Sequence, residues 1–494
     1  MPKRSQFTLI GLVWTAAIFR LPSLFKNHFH ADEALFAYWA RLIAVWRDPL
    51  LLAQAVDKPP LLFYLQAIFY PLMGPQEWAA RLPNYFMSLL LVPLVAVVGW
   101  HCYHQSSVSV LSALLMALAP LTIQFSSSAF TDPLLSGLIV FSVLFVLHRP
   151  SPILSGLFFG LAAATKYQAW LFLPLIMGVA WLKLWNWYKV RLWLAGAVPP
   201  FLALLLWTFM RSGNFSLWSR QVSNFGGLRM ARSWELFGRL GKWVALWQFS
   251  FGFSFLPILW LSGMLVLIWR GLLRRDNIAR FDLLFILFSI AYLLAHWVLA
   301  VPVWDRYLLP IFPFLILIFA RLIVVVYRAV QAAIRQIDLS FRVRKAVQVF
   351  LIMALLLFMM LQFQVATKAR AGWWPIGGRS DADRGAWQIA KFLKDEPYGT
   401  VLYDHWYSWQ WQYHLFDKGV YVSWFQSPQA LVDDLIVFGS GDDKRYLVLP
   451  SSNESLPIMR AIATNGFELD QIMQTENEPG MILYRIHSRE KVVE

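Results

Sequence analysis

Apolar residues fall in long runs along most of the chain, and polar residues gather in the stretches between them. About 20 apolar residues carry a helix across hydrocarbon. On that measure, spans are predicted near 7–25, 82–100, 107–121, 132–147, 152–166, 168–184, 191–210, 251–269, 281–300, 307–327 and 346–366, about eleven in all. Two intervening stretches are long, 26–81 and 211–250. From about residue 367 the pattern shortens. Val401-Leu402-Tyr403, Val420–Trp424, Tyr446–Leu449 and Met481–Tyr484 read as strands bounded by turn residues. Ala386–Lys394 and Ser427–Phe438 read as amphipathic helices. The expectation is an all-α polytopic membrane domain over residues 1–366, followed by a small soluble α/β domain within residues 367–494.

Composition agrees: 59% of the 494 residues are hydrophobic and 14% charged, against about a quarter charged in soluble chains. The formal charge of +15 would suggest nucleic acid in a soluble protein. Here much of it lies in short loops, where the positive-inside bias and anionic headgroups account for it, and no nucleic-acid partner is expected. Cys102 is the single cysteine, which excludes an intramolecular disulfide and a cysteine metal cluster. Met1–Arg4 followed by an apolar run resembles a signal peptide, but Arg20-Leu21-Pro22 stands where a small-residue cleavage site would be. The run is therefore expected to remain as the first span.

Loop charges orient the chain. Lys3, Arg4, Arg149, Lys183, Lys189, Arg191, Arg270, Arg274, Arg275, Arg280, Arg328, Arg335, Arg342, Arg344 and Lys345 fall in loops of one parity. Short loops of the other parity hold little beyond Lys166 and Arg306. The first set is expected to be cytoplasmic, placing the N-terminus inside and the tail outside, in a plasma or inner membrane.

The first outside loop carries His28-Phe29-His30-Ala31-Asp32-Glu33, then Asp57-Lys58-Pro59-Pro60-Leu61, then Arg81-Leu82-Pro83. Carboxylates just beyond a span are costly unless partnered or wet. Singly, these are ordinary interfacial charges; as an ordered set they point to a site. The loop 211–250 interleaves Arg211, Arg220, Arg229, Arg232, Arg239 and Lys242 with Trp218, Phe225, Trp234 and Trp243. It reads equally as an anion grip with an apolar wall or as an interfacial belt.

The order Asp-Glu-Ala, Lys-Pro-Pro-Leu, Arg-Leu-Pro resembles the first outside loop of the dolichyl-phosphate-mannose protein mannosyltransferases and their bacterial relatives, including the aminoarabinose transferases of lipid A. These are membrane glycosyltransferases of the GT-C fold. Thr131-Asp132-Pro133 resembles their second acidic position. Gly160–Tyr167 followed by Leu173-Pro174 resembles their fifth-to-sixth span turn, and Arg306-Tyr307-Leu308-Leu309-Pro310 their late motif. The likeness covers roughly residues 7–330. It implies a sugar donor on a polyprenyl phosphate, a glycan, lipid or protein acceptor presented outside, and inversion at the anomeric carbon. By position, Asp32 is the implied catalytic base, with Glu33 and Asp132 as further catalytic-site acids. Lys58, Lys166 and Arg306, with Arg81 and Tyr307, are the implied phosphate-binding set, since cations stabilise a departing phosphate. Some relatives bind a metal, for which His28, His30 and Asp57 are the candidate ligands; two histidines at i and i+2 share one face only in an extended segment. Trp373-Trp374-Pro375 resembles the start of an oligosaccharyltransferase motif but lacks its continuation. The rival reading is a transporter or flippase of a lipid-linked or anionic substrate, which would want matching interrupted spans at mid-membrane.

Overall fold

The structure, a computed structural model of the chain, describes residues 1–148, 150–213, 229–253, 256–274, 276–336, 341–439, 444–477 and 480–488. Arg149, Trp218, Arg220, Phe225 and Arg275 lie outside the described residues. The helices of the membrane part are α1 (Lys3–Lys26), α2 (Ala31–Ala44), α3 (Leu61–Met73), α4 (Glu77–Tyr103), α5 (Ser106–Leu118), α6 (Pro120–Ser126), α7 (Thr131–Leu147), α8 (Pro152–Ala163), α9 (Leu173–Leu182) and α10 (Trp187–Ser212). They continue with α11 (Ser233–Phe251), α12 (Leu256–Arg274), α13 (Asn277–Val298), α14 (Phe312–Gln336) and α15 (Phe341–Arg370).

Six of them, α1, α4, α10, α13, α14 and α15, are long and apolar enough to cross a bilayer. The pair α5 and α6, bent by 55°, makes a seventh span when counted as one. Each predicted apolar run falls on one of these helices or on a shorter apolar one, with the run near 251–269 shifted onto α12. The chain is an integral, multi-pass membrane protein.

Local chemistry explains the boundaries. Asn186 accepts the Lys189 N–H at 3.1 Å to start α10, and Asp276 accepts the Ala279 N–H at 2.7 Å to start α13. Proline at position 120 starts α6 and bends the span. Two helices touch backbone to backbone. A Cβ on Gly156 of α8 would lie 1.9 Å from the Trp193 carbonyl of α10, and one on Gly196 would lie 2.0 Å from the Ile153 carbonyl. Small residues permit that approach, the device membrane helices use to associate.

The stretch 211–250 departs from the expectation of a plain loop, because Ser233–Phe251 is helical. Trp234, Phe237, Leu240, Trp243, Val244 and Trp247 recur at helical spacing, and the interleaved arginines disguise it.

The chain divides into two compact units, residues 1–26 with 42–379, and residues 27–41 with 380–494. Residues 367–379 thus cluster with the membrane helices, and residues 27–41 with the C-terminal unit. Within that unit Gln410 donates to the Phe29 carbonyl at 2.9 Å and Arg41 to the Tyr413 carbonyl at 2.9 Å. The soluble unit adds α16 (Ala386–Leu393), α17 (Ser408–His414), α18 (Pro428–Phe438) and α19 (Leu456–Thr464) around strands β1 (Thr400–Asp404), β2 (Val420–Trp424), β3 (Arg445–Pro450), β4 (Phe467–Gln474) and β5 (Met481–Ser488). The sheet order is β2-β1-β3-β5-β4. The strands β1, β2 and β3 run parallel, with β5 antiparallel to β3 and β4 antiparallel to β5. Every residue of β3 is buried, as a strand covered on both faces requires. Leu402 and Val448 face one core with Trp411; Tyr403 and Leu447 face the other with Leu431.

Candidate functional site

Three turns at the ends of apolar helices carry Asp132, Lys166 and Arg306. The first precedes α7. Asn84 of α4 donates to the carbonyls of Ser128 at 2.8 Å and Phe130 at 2.7 Å, which fixes the turn that delivers Asp132. Arg81, fully buried, stands one turn earlier on α4.

The second turn follows α8. Its helix stops at Ala163, leaving Lys166 between it and the 3-10 turn Tyr167–Phe172. The Leu61 N–H donates to the Ala164 carbonyl at 3.0 Å, which seats the Asp57-Lys58-Pro59-Pro60 segment against this turn. Lys58 Nζ contacts both oxygens of Asp57 at 2.9 Å.

The third is the 3-10 turn Asp305–Leu308, held on three sides. Asp305 accepts the Arg306 N–H and the Gly377 N–H, each at 2.7 Å. Tyr292 of α13 donates to the Tyr307 carbonyl at 2.7 Å. Ser136 of α7 donates to the Leu309 carbonyl at 3.1 Å.

The turns bring their charges together. Lys166 Nζ lies 2.5 Å from Asp132 Oδ1 and stands 4.5 Å from the centre of the Tyr307 ring. The Arg306 guanidinium lies over the Trp304 ring at 4.1 Å and the Phe130 ring at 4.9 Å. Burial lowers the Lys166 ammonium to about 8; the Asp132 carboxylate opposes that, while the charges of Arg306 and Lys58 add to it. Lys58 and Arg306 are therefore each within electrostatic reach of Lys166. Burial raises the Asp305 carboxyl above its usual range, against the pull of the Gly377 and Arg306 N–H groups. Asp305 was not among the acids expected from sequence. Its neighbour Arg306 drew the attention, and only folding brings Gly377 to it.

The remaining candidates belong to the second unit. Asp32 and Glu33 occupy the first turn of α2, where carboxylates complement the helix dipole. Glu33 is fully buried and accepts the His30 N–H at 3.0 Å, one arm of a capping box. His30 Nδ1 accepts the Asp32 N–H at 3.2 Å, and the His28 ring stacks on Trp387 at 4.7 Å. Among the described residues, no group of three or more His, Cys, Asp or Glu side chains is placed to hold a metal.

Three described arginines of 211–250 have local partners too. Arg211 donates to the carbonyls of Leu51 and Gln54. Arg239 donates to the carbonyls of His296, Trp297 and Leu299, closing the C-terminal end of α13. Arg229 forms a bidentate pair with Glu235, both contacts 2.8 Å.

Residues 57–217 match the family model of dolichyl-phosphate-mannose-protein mannosyltransferase. No curated protein sequence matches the chain. In structure the chain is similar to ArnT from Cupriavidus metallidurans in the apo state, at 18% identity and a TM-score of 0.65, over 96% of this chain and 97% of that one. ArnT bound to undecaprenyl phosphate matches at 16% identity, with the same TM-score of 0.65 and the same coverage. The Archaeoglobus fulgidus oligosaccharyltransferase in complex with Zn and sulfate matches at 13% identity and a TM-score of 0.52, over 84% of this chain and 62% of that one. The fold is the GT-C fold expected from the motifs.

Proposed function

We propose that this chain is an inverting glycosyltransferase that moves a sugar from a polyprenyl phosphate to an acceptor on the extracytoplasmic face of the membrane. The observation that carries this reading is that Lys58 and Arg306, from turns distant in sequence, stand within electrostatic reach of Lys166, which is itself paired with Asp132 and set over the Tyr307 ring. A buried cationic set of this kind fits a phosphate in low dielectric, with the arginine able to grip two oxygens at once. The match to a mannosyltransferase family and the likeness to a protein crystallised with undecaprenyl phosphate support the same class of donor.

In the proposed step the acceptor's nucleophilic atom attacks the anomeric carbon and a new glycosidic bond forms. Asp32 takes the acceptor's proton. The bond from that carbon to the phosphate oxygen breaks, and the electron pair leaves on the phosphate, whose charge the cations stabilise. Asp132 holds Lys166 in place.

The test is direct. Purified protein given a polyprenyl-phosphate-linked sugar and an acceptor releases free polyprenyl phosphate. Asp32→Asn cuts that release by about 10²–10⁴-fold while the protein still inserts. Wild-type turnover in Asp32→Asn removes Asp32 from the mechanism, and no release from the wild type overturns the reading as a whole.

A further inference from the structure

A polar network lies behind the cationic turns, inside helices that otherwise read as apolar. Gln168, two residues after Lys166, donates one amide N–H to the Tyr292 hydroxyl and the other to His296 Nε2 at 3.1 Å. Tyr292 in turn donates its hydroxyl to the Tyr307 carbonyl at 2.7 Å. His296 Nδ1 meets the Tyr292 carbonyl at 2.9 Å, so its ring proton sits on Nδ1 and every donor finds an acceptor. Tyr292 and His296 are buried.

We infer that Gln168 and Tyr292, with His296 behind them, are positioning residues that set the spacing between Lys166 and Arg306. Gln168 belongs to the turn that carries Lys166. Through Tyr292 it grips the backbone of Tyr307, which adjoins Arg306 and whose ring lies under the Lys166 ammonium. The network therefore ties one cation-bearing turn to the other. Asp132 holds Lys166 from α7, whose own tie to the third turn runs through Ser136 to the Leu309 carbonyl, beyond Tyr307.

Cost argues that the network has a purpose. An amide, a phenol and an imidazole among apolar helices are each expensive, and leucines would pack there more cheaply. The carbonyl oxygen of Gln168 is buried with no protein partner, a further penalty that packing alone would not keep. A phosphate gripped by two cations at once is sensitive to their separation, whereas a single flexible lysine is not.

The inference rests on the donor reading above, and the experiment separates the two. The full chain in lipid nanodiscs is titrated with undecaprenyl phosphate, and donor and acceptor kinetics are measured alongside. Tyr292→Phe removes one hydroxyl without changing shape. It weakens lipid-phosphate binding about tenfold, because the Tyr307 backbone, and Arg306 beside it, is no longer held at one separation from Lys166. Gln168→Leu has a similar effect, and the double variant is no weaker than the singles, because the two residues act in series. The donor KM rises while the acceptor KM stays put, a split that loosened packing would not produce. Unchanged binding in Tyr292→Phe, additive losses in the double variant, or an acceptor KM rising in step each overturn the inference while leaving the donor reading intact. A wild type that binds no undecaprenyl phosphate overturns both.

Discussion

Pro120 has no N–H, so the Met116 carbonyl, four residues earlier, loses the donor that an unbroken helix would supply. Water cannot replace that donor at membrane depth. Arg20 of α1 supplies it, giving hydrogen bonds of 2.9 Å to both the Met116 and Ala117 carbonyls. A charge that sequence offers only as an obstacle to signal cleavage thus holds together the bend that leads to Asp132. The same logic separates what was legible at this scale from what was not. Asp132, Lys166 and Arg306 stand out in sequence because each is an ionisable group at the edge of an apolar run. Gln168, Tyr292 and His296 are uncharged and scattered inside such runs, and their partners lie 124 and 128 positions away. Lys166 gives the prediction proper to this scale. Burial holds its pKa near 8, below the usual lysine value, so it is charged below that pH and neutral above it. If it grips the donor phosphate, kcat/KM for the donor falls as pH rises through about 8. In Lys166→Arg, whose guanidinium stays charged, that alkaline limb disappears. A limb that persists unchanged in Lys166→Arg assigns it to another group.

Between elements, what decides the architecture is how closely backbones approach. The contact of α8 with α10 places Gly156 and Gly160 of one helix against Trp193 and Ala197 of the other, with Gly196 returning the contact. A side chain at Gly156 has no room, because the obstacle is a backbone carbonyl and not a flexible chain end. Gly156→Leu should force the helices apart and lower stability by about 1–3 kcal/mol or more, seen as a depressed unfolding midpoint in detergent. A midpoint equal to wild type would mean that the two helices are not packed this closely. Legibility varied with how clean each element's pattern is. The membrane helices showed themselves as unbroken apolar runs, and β1, β2, β3 and β5 as short apolar segments between turns. The helix α11 was hidden by its arginines, and β4 by its acids: Glu468 and Asp470 sit on an exposed edge strand, where charge guards against edge pairing. Both carried their periodicity all along, but composition outvoted it.

At the scale of the whole molecule, the question is which elements cross the bilayer and which side each turn faces. The six long helices and the bent pair give seven crossings. Adding α7, α8, α9 with its 3-10 turn, and α12 gives eleven. Both totals are odd, so both put the two ends of the chain on opposite sides. After Arg370 the longest described helix has 11 residues, too short to return through hydrocarbon that needs about 20. A reporter fused after Glu494 is therefore expected to be extracytoplasmic under either total. The turn between α9 and α10 distinguishes them. With eleven crossings it is cytoplasmic; with seven, the chain has not crossed since α6 and the turn lies outside. Lys183, Lys189 and Arg191 cluster there, and the positive-inside bias favours the cytoplasm. We expect reporters at 183–186 and at 270–280 both to be cytoplasmic, with the C-terminal reporter on the far side. An extracytoplasmic result at 183–186 would mean that α7, α8 and α9 do not each cross. A C-terminal reporter on the same side as 270–280 would remove one crossing among α13, α14 and α15; loss of the α13 crossing would take Arg306 out of the compartment of Lys166. That outcome would contradict the 4.5 Å approach of Lys166 to Tyr307, so the reporters test the cation cluster as well as the topology.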